Sequence, residues 1–314
     1  MKRTLGILVA ILFLHTLVHA ADKIRIGVPV FGAQFITLPL AEKRGFLKEE
    51  GLEAEVIRIS GSAASSALVS RDLDYHMALQ VQAAIANLPI RVVACYVPAT
   101  FITLIAQPQY KSVKDLKGTT IAVNTFTGPP IFIARMIAKQ FGLEPDRDLK
   151  FLASGLPEAR LAALSQGLAS AAMLPVPWDS RATKMGFISL ARAHELFMYP
   201  DVGLTTSLNK IKERRDEVKR VIKAGIKANR YIRTNRDGTI QFIQEWLKTD
   251  KEIATAIYDS LAKFFNEDGS LPEDGFRLLI EDVKKVAKVE REVALGEVAD
   301  LSILKEAQRE LGIK

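Results

Sequence analysis

Ser112–Pro130 reads SVKDLKGTTIAVNTFTGPP, and its second half sets the fold class. Thr120–Val123 is a short apolar, β-branched run that predicts a strand, Asn124–Gly128 is a polar turn of small residues, and Pro129-Pro130 fit the first positions of a helix, where a fixed φ is pre-organised and no N–H is missed. A strand, a turn and a helix N-terminus follow in nineteen residues. Such a helix end carries unpaired N–H donors and the positive end of the dipole, so it suits an anion or a polar oxygen. Thr125, Thr127 and the backbone N–H groups of Thr127 and Gly128 are the first candidates for ligand contact. Pro129 and Pro130 have no N–H to give, which ends any cradle at Gly128. The bland reading is an ordinary βα turn, which every α/β protein contains.

Upstream, the same alternation is already running. Lys23–Val28, Glu53–Ile59, Tyr75–Leu79 and Arg91–Tyr96 read as strands, with helices near Thr37–Lys43, Ala63–Val69 (Ser62 as its N-cap) and Val81–Asn87 between them. Downstream it begins again: helix Pro130–Phe141, strand Leu149–Leu152, helix Glu158–Gln166, strand Ala171–Leu174, helix Trp178–Lys184. ALVSRDLDYHMAL (Ala67–Leu79) and ALSQGLASAAML (Ala163–Leu174) each read as helix end, turn and strand. Strand–helix alternation predicts mostly parallel sheets covered on both faces, here in two similar α/β lobes. Leu204–Thr206 is a returning strand, and from Lys210 onward helical spacing dominates.

The chain has 314 residues, 48% hydrophobic and 25% charged, enough for two ordinary domains. Residues 1–20, MKRTLGILVAILFLHTLVHA, combine a basic start (Lys2, Arg3), an apolar core from Leu5 to Leu14 and small residues before Ala21. This is the pattern of a secretory signal peptide, too short in its apolar core to span a bilayer. With no cysteine near the cut to carry a lipid, a periplasmic protein is expected. Losing Lys2 and Arg3 lowers the formal charge from +7 to +5. Between Lys210 and Arg236 there are 11 Lys/Arg against three acids, either a docking face for an acidic partner or, more simply, a solvated helix face. No aromatic interleaving or nucleic-acid motif accompanies the charge, so nucleic acid is set aside. The lone Cys95 cannot form an intramolecular disulfide and reads as a small buried hydrophobe.

In open α/β sheets ligands bind beyond the carboxyl ends of the strands. The loops there supply Phe31, Gln34, Ser60, Gly61, Ser62, Gln80, Gln82, Thr125, Phe126, Thr127, Gly128, Pro177 and Trp178. Phe31, Phe126 and Trp178 either stack on a flat ligand or close the lobe cores; Ser62 either caps a helix or bonds a ligand oxygen; Gln34, Gln80 and Gln82 are neutral amides able to donate or accept. Arg160 and Arg181 are further candidates for reaching the cleft from the second half. None of these loops contains Asp, Glu, His or Cys, so a strongly cationic ligand would lack a partner, and a small neutral-polar or anionic organic molecule fits better. No catalytic set, metal site or cofactor motif is present: His76 reads as a core histidine, and neither G-x-S-x-G nor a dinucleotide glycine pattern occurs.

The succession KIRIGV, LAEKRGFLKEEGLEAEV, SVKDLKGTTIAV, GLTTS and DLSILKEAQRELG resembles the solute-binding proteins of bacterial ABC importers, in the group with sulfonate, taurine, nitrate and thiamine-precursor binders. The resemblance implies a type II periplasmic binding protein: an α/β fold of two lobes joined by two hinge crossovers, with the helical C-terminal portion packed on lobe one. It places residues 21–108 and 204–314 in lobe one and 109–203 in lobe two, with hinges near Gln107–Tyr110 and Tyr199–Leu204. A monomer would capture ligand in the interlobe cleft and present it to a membrane permease. Two departures stand out: Ser170 where relatives often carry an acid, as Asp74 does in the first half, and prolines on both sides of Val176. The same implied fold admits two alternatives. One is a sensory binding protein feeding a receptor; the other is an enzyme that makes the thiamine pyrimidine, whose pyridoxal cofactor, histidine and cysteine-rich iron motif find no counterpart with one cysteine and, after signal removal, only His76 and His194.

Overall fold

The computed structural model describes residues 21–126 and 128–313; the expected signal segment and Thr127 lie outside them. Among the described residues ten strands form two sheets: β1 (Asp22–Val28), β2 (Leu52–Arg58), β3 (Tyr75–His76), β4 (Ile90–Val97), β5 (Ile102–Ala106), β6 (Thr120–Val123), β7 (Lys150–Ala153), β8 (Ala171–Pro175), β9 (Ile188–Arg192) and β10 (Val202–Ser207). The orders are β2-β1-β3-β10-β4 and β7-β6-β8-β5-β9. In each, the first three strands run parallel and the fourth is antiparallel to its neighbours. The two α/β lobes expected from the repeated alternation are therefore present, and they share one strand order.

One expectation fails. β5 was expected neither as a strand nor in lobe two, and it sits inside the second sheet, so the first crossing runs through Pro98–Phe101 and not Gln107–Tyr110. All five residues of β5 are buried, as an inner strand with both faces covered requires. Reciprocally, β10 leaves the second half of the chain to fill the same position in the first sheet. The second crossing lies at Tyr199–Asp201, within the expected Tyr199–Leu204. The two crossings touch: the Asp201 backbone N–H donates to Val97 O at 2.9 Å.

Smaller differences have local causes. The third helix is Gly61–Ser70 with Ser60 at its N-cap, two residues earlier than expected, and no cap bond from the Ser60 side chain. Asp74, the acid singled out in the first half, accepts from Arg25 N–H at 2.7 Å and pairs with Lys210 at 2.6 Å. At the matching place Ser170 accepts from the Tyr110 hydroxyl at 3.1 Å, so a neutral pair replaces a charged one.

The C-terminal helices pack on lobe one. Helix Arg215–Thr234 buries Val218, Val221, Ile222, Ile226 and Ile232 along one stripe, and Gly225 lies so close to Tyr96 that an added Cβ would collide with its hydroxyl. The basic run on this helix is largely paired within the molecule: Arg214 and Arg220 hold Asp22, Lys223 and Lys227 hold Glu50, and Lys219 holds Glu310. Neither a docking face nor a freely solvated one describes it; the helix is clamped to the start of β1 and to the last helix.

Asn229 is the buried polar centre of this packing. Its Oδ1 accepts from Thr37 Oγ1 at 2.8 Å and its Nδ2 donates to Tyr96 O at 3.0 Å and Asn266 O at 2.7 Å. Replacing it by alanine leaves buried groups on three segments unpaired, at about 1–3 kcal/mol each before relaxation. Asn229→Ala is expected to lower the urea midpoint strongly, by about 3 kcal/mol in total, with an unchanged slope; a loss under about 1 kcal/mol would show that these groups find other partners.

Candidate functional site

The carboxyl ends of both sheets face a cleft with a cavity of about 220 Å³, smaller than the roughly 300–1,000 Å³ of most ligand pockets. Lobe one contributes Gln34 and Leu261, the crossings contribute Thr100, Phe101 and Asp201, and lobe two contributes Ile102, Pro129, Pro130, Arg160, Pro175 and Val176.

Two of these carry the electrostatics. Arg160 lies on helix Pro157–Ser165 on the same face as Leu161 and Leu164, which pack against the sheet. It is only 4% exposed. Nη1 donates to Met173 O on β8, while Nε is buried with no hydrogen-bond partner among the described residues. Desolvation pulls the guanidinium down to about 10, and Glu158 is the one nearby charge that favours the cation. A cation near the positive end of a helix and out of water is poorly placed. An anion in the cleft would correct both faults.

Asp201, half-buried, lines the same cavity. Its backbone is tied to Val97, and its carboxyl is pushed up to about 7 by burial with no cation to offset it. This corrects the premise that the cleft lacks a carboxylate, which counted only the loops after strands. In a two-crossing fold the crossings form the cleft floor, and Asp201 follows Tyr199-Pro200 at one of them. That is also why Thr100 and Phe101 were missed.

Of the residues expected at the site, Gln34 lines the enclosed cavity. Phe31 packs edge-on against Trp246 at 4.9 Å, and the Trp246 ring N–H donates to Gly32 O at 3.2 Å, so this loop is braced by a residue that sequence reading passed over. Ser60, Gly61, Ser62, Gln82 and Thr125 are exposed, and Gly128 caps helix Pro129–Gln140 with φ +95°. Gln80 is committed elsewhere: its amide N–H donates to His76 Nδ1 at 2.7 Å and its Oε1 accepts from Ser65 Oγ at 2.8 Å. His76 in turn donates from Nε2 to Ile59 O at 3.0 Å, which makes it the core histidine expected. Phe126 is 63% exposed and lines a separate groove of about 530 Å³ with Phe132, Arg135 and Asp282. Pro177 opens helix Trp178–Lys184; Trp178 packs on the second lobe's core, with the Arg181 guanidinium 5.3 Å from its ring centre. Arg181 thus stays at Trp178, whereas Arg160 reaches the cleft. Thr127 lies outside the described residues.

The NMT1/THI5-like family model matches residues 33–238. The chain belongs to that family. By sequence, no curated protein matches this NMT1/THI5-like chain. In structure it is similar to a putative sulfonate-binding periplasmic protein of an ABC transporter from Methylobacillus flagellatus (TM-score 0.78, 14% identity, 95% of this chain and 97% of that one). It is also similar to the periplasmic nitrate-binding protein of Synechocystis (0.72, 14%, 93% and 89%) and to the desulfurization enzyme DSZB (0.68, 16%, 92% and 99%). At these identities the likeness shows the fold.

Asp201 gives this NMT1/THI5-like protein a pH signature. Its folded pKa, about 7, is above the unfolded value near 3.9, so the folded state binds more protons between these limits and stability falls as pH rises through that window. Asp201→Asn is expected to melt higher than wild type at pH 8, with the gain vanishing towards pH 4; a gain that is equal at both pH values would mean that Asp201 is not desolvated.

Proposed function

We propose that this protein is an extracytoplasmic solute-binding protein that captures a small anionic or neutral-polar organic molecule between its lobes and delivers it to an ABC permease. The observation that carries the reading is Arg160: a buried guanidinium with an unpartnered Nε on the wall of an interlobe cleft. Such a group gains most from an oxyanion, through charge-assisted bonds in a water-poor site. Family membership and the fold of the sulfonate and nitrate binders support the same role, and the sequence of residues 1–20 supports export to the periplasm. Ligand would favour a closed arrangement through contacts with both lobes at once, and the protein would act as a monomer.

The enzyme DSZB shares the fold, which raises catalysis as a competing reading. The lining weighs against it. The one thiol, Cys95, is buried in the core of lobe one and held protonated by desolvation. Among the described residues no group of three or more His, Cys, Asp or Glu is placed to hold a metal. Gln34, Thr100, Arg160 and Asp201, the polar lining, suit binding better than bond cleavage.

A thermal-shift screen of the mature protein against sulfonates, carboxylates, pyrimidines, sugars and polyamines tests the reading. A ligand at 100-fold its Kd adds roughly 2.7 kcal/mol, so an anionic or neutral-polar compound is expected to raise the melting temperature, and Arg160→Gln is expected to abolish the shift for anions while leaving the fold intact. Stabilisation by polyamines alone would overturn it.

A further inference from the structure

His194 is carried by lobe two: its short helix, Ala193–Leu196, follows β9 and is held in the second core through Ala193 and Leu196. The ring nevertheless packs on lobe one. Its centre lies 4.7 Å from that of Phe264, edge-on, and 5.7 Å from that of Phe101, and the two phenylalanines are 4.8 Å apart. Phe101 is buried in the first core and Phe264 packs against that core. The three rings form a contact between the lobes beside the first crossing, and Phe101 also lines the cleft cavity.

This contact suits the neutral ring. The His194 side chain is 15% exposed, and Nδ1 is buried with no hydrogen-bond partner among the described residues. A neutral imidazole with its proton on Nε2 leaves only a lone pair there, whereas the protonated ring must bury an N–H with no acceptor. Lys263 Nζ already sits 4.9 Å from the centre of the Phe264 ring, so the ring that would attract an imidazolium is already beside a cation. On the His194 helix and just before it, Arg192 opposes the charged form and Glu195 favours it. Glu195 Oε1 is 4.0 Å from Nε2, exposed, and paired with Arg192 at 3.2 Å. Asp179, on helix Trp178–Lys184, also favours the cation, but it is engaged by the Thr103 hydroxyl at 3.1 Å and the Ser180 N–H at 2.7 Å. Helix Pro129–Gln140 packs against the same segment, and its charged residues, Arg135 and Lys139, line the Phe126 groove. Desolvation is the largest influence, and it holds the packed ring below the usual histidine range.

We propose that His194 is a proton-sensitive positioning residue: the neutral ring, wedged against Phe101 and Phe264, holds the two lobes and the Phe101 wall of the cavity in the observed arrangement, and protonation releases it. The packed arrangement binds fewer protons than one with the ring in water. The contact is therefore complete above about pH 6.5 and is lost as pH falls below it. Asp201 responds in the opposite sense, its folded form taking up the proton. The proposal goes beyond the solute-binding reading and concerns the lobes alone, so it stands or falls independently of what the cleft binds.

Two readouts on the mature protein, with no ligand added, test it. Ring-proton NMR between about pH 4 and pH 8 follows His76 and His194, with His194→Phe assigning the signals, and His194 is expected to titrate below the free value of about 6.5. Spin labels on Ala63→Cys and Leu156→Cys, exposed at the rims of lobes one and two, are expected to report longer distances at about pH 5 than at about pH 8. His194→Phe keeps three rings in contact and is expected to retain the high-pH distribution in acid. His194→Gln, neutral at both pH values, is expected to lack the pH response as well. Asp201 and His76 titrate in every one of these proteins and cancel in the comparison, and circular dichroism at both pH values establishes that each is folded. A His194 that titrates at or above the free value, a wild-type distribution that does not change with pH, or the same change in both variants overturns the proposal. A histidine with a structural role alone would lower the melting temperature in acid and leave the distances where they are.

Discussion

The 2.9 Å hydrogen bond from Asp201 N–H to Val97 O joins the two places where the chain passes between lobes, and the geometry of the cleft hangs on it. β4 ends at Val97 and β10 begins at Val202, side by side in the first sheet, while β5 has crossed to fill the matching position in the second. Each lobe is therefore completed by a strand from the other half of the chain. Neither half can finish its sheet alone, and the two crossings are held together at the cleft floor. Asp201 therefore sits where the chain passes between the lobes, tied to the end of β4.

That constraint explains why the charges of the cleft are distributed as they are. Asp201 is anchored by its backbone, and Arg160 by its bond to Met173 O and by Leu161 and Leu164 on the same helical face. Both are kept in low-dielectric surroundings with partners left open. In a protein selected for stability alone such groups would be paired or replaced by apolar ones of the same volume. Elsewhere the chain follows that rule: the basic helix Arg215–Thr234 is covered by Asp22, Glu50 and Glu310, and the buried amide of Asn229 is fully used. The cleft is where local rules are broken, as expected of a functional site.

Much of the fold was legible because the turn chemistry and the strand–helix alternation agree: Thr120–Val123 and Pro129–Gln140 fall where TTIAV and GPP place them. β5 was not, because ITLIA follows a proline-containing segment and precedes another, which reads as a linker; its apolarity on both faces was the available signal. The site was less legible for a topological reason. Loops after strands can be counted from sequence, and this gave Gln34 and the neighbourhood of Pro129 and Pro175. Asp201 and Thr100 lie on crossings, whose approach to the cleft is set by the exchange of β5 and β10. Trp246 was overlooked because its bracing of Phe31 and Gly32 is a contact 214 residues apart along the chain. Gln80 looked available and is held by His76 and Ser65, a pairing only tertiary packing reveals.

The central claim is that ligand is gripped by both lobes at once, and the interlobe distance measures it most directly. Ala63 at the rim of lobe one and Leu156 at the rim of lobe two are exposed, and Cys95 is buried, so spin labels on Ala63→Cys and Leu156→Cys report the cleft mouth without a competing thiol. Saturation with a compound that raises the melting temperature in the thermal-shift screen is expected to shift the distance distribution to shorter values. A bound ligand that leaves the distribution unchanged would contradict the account.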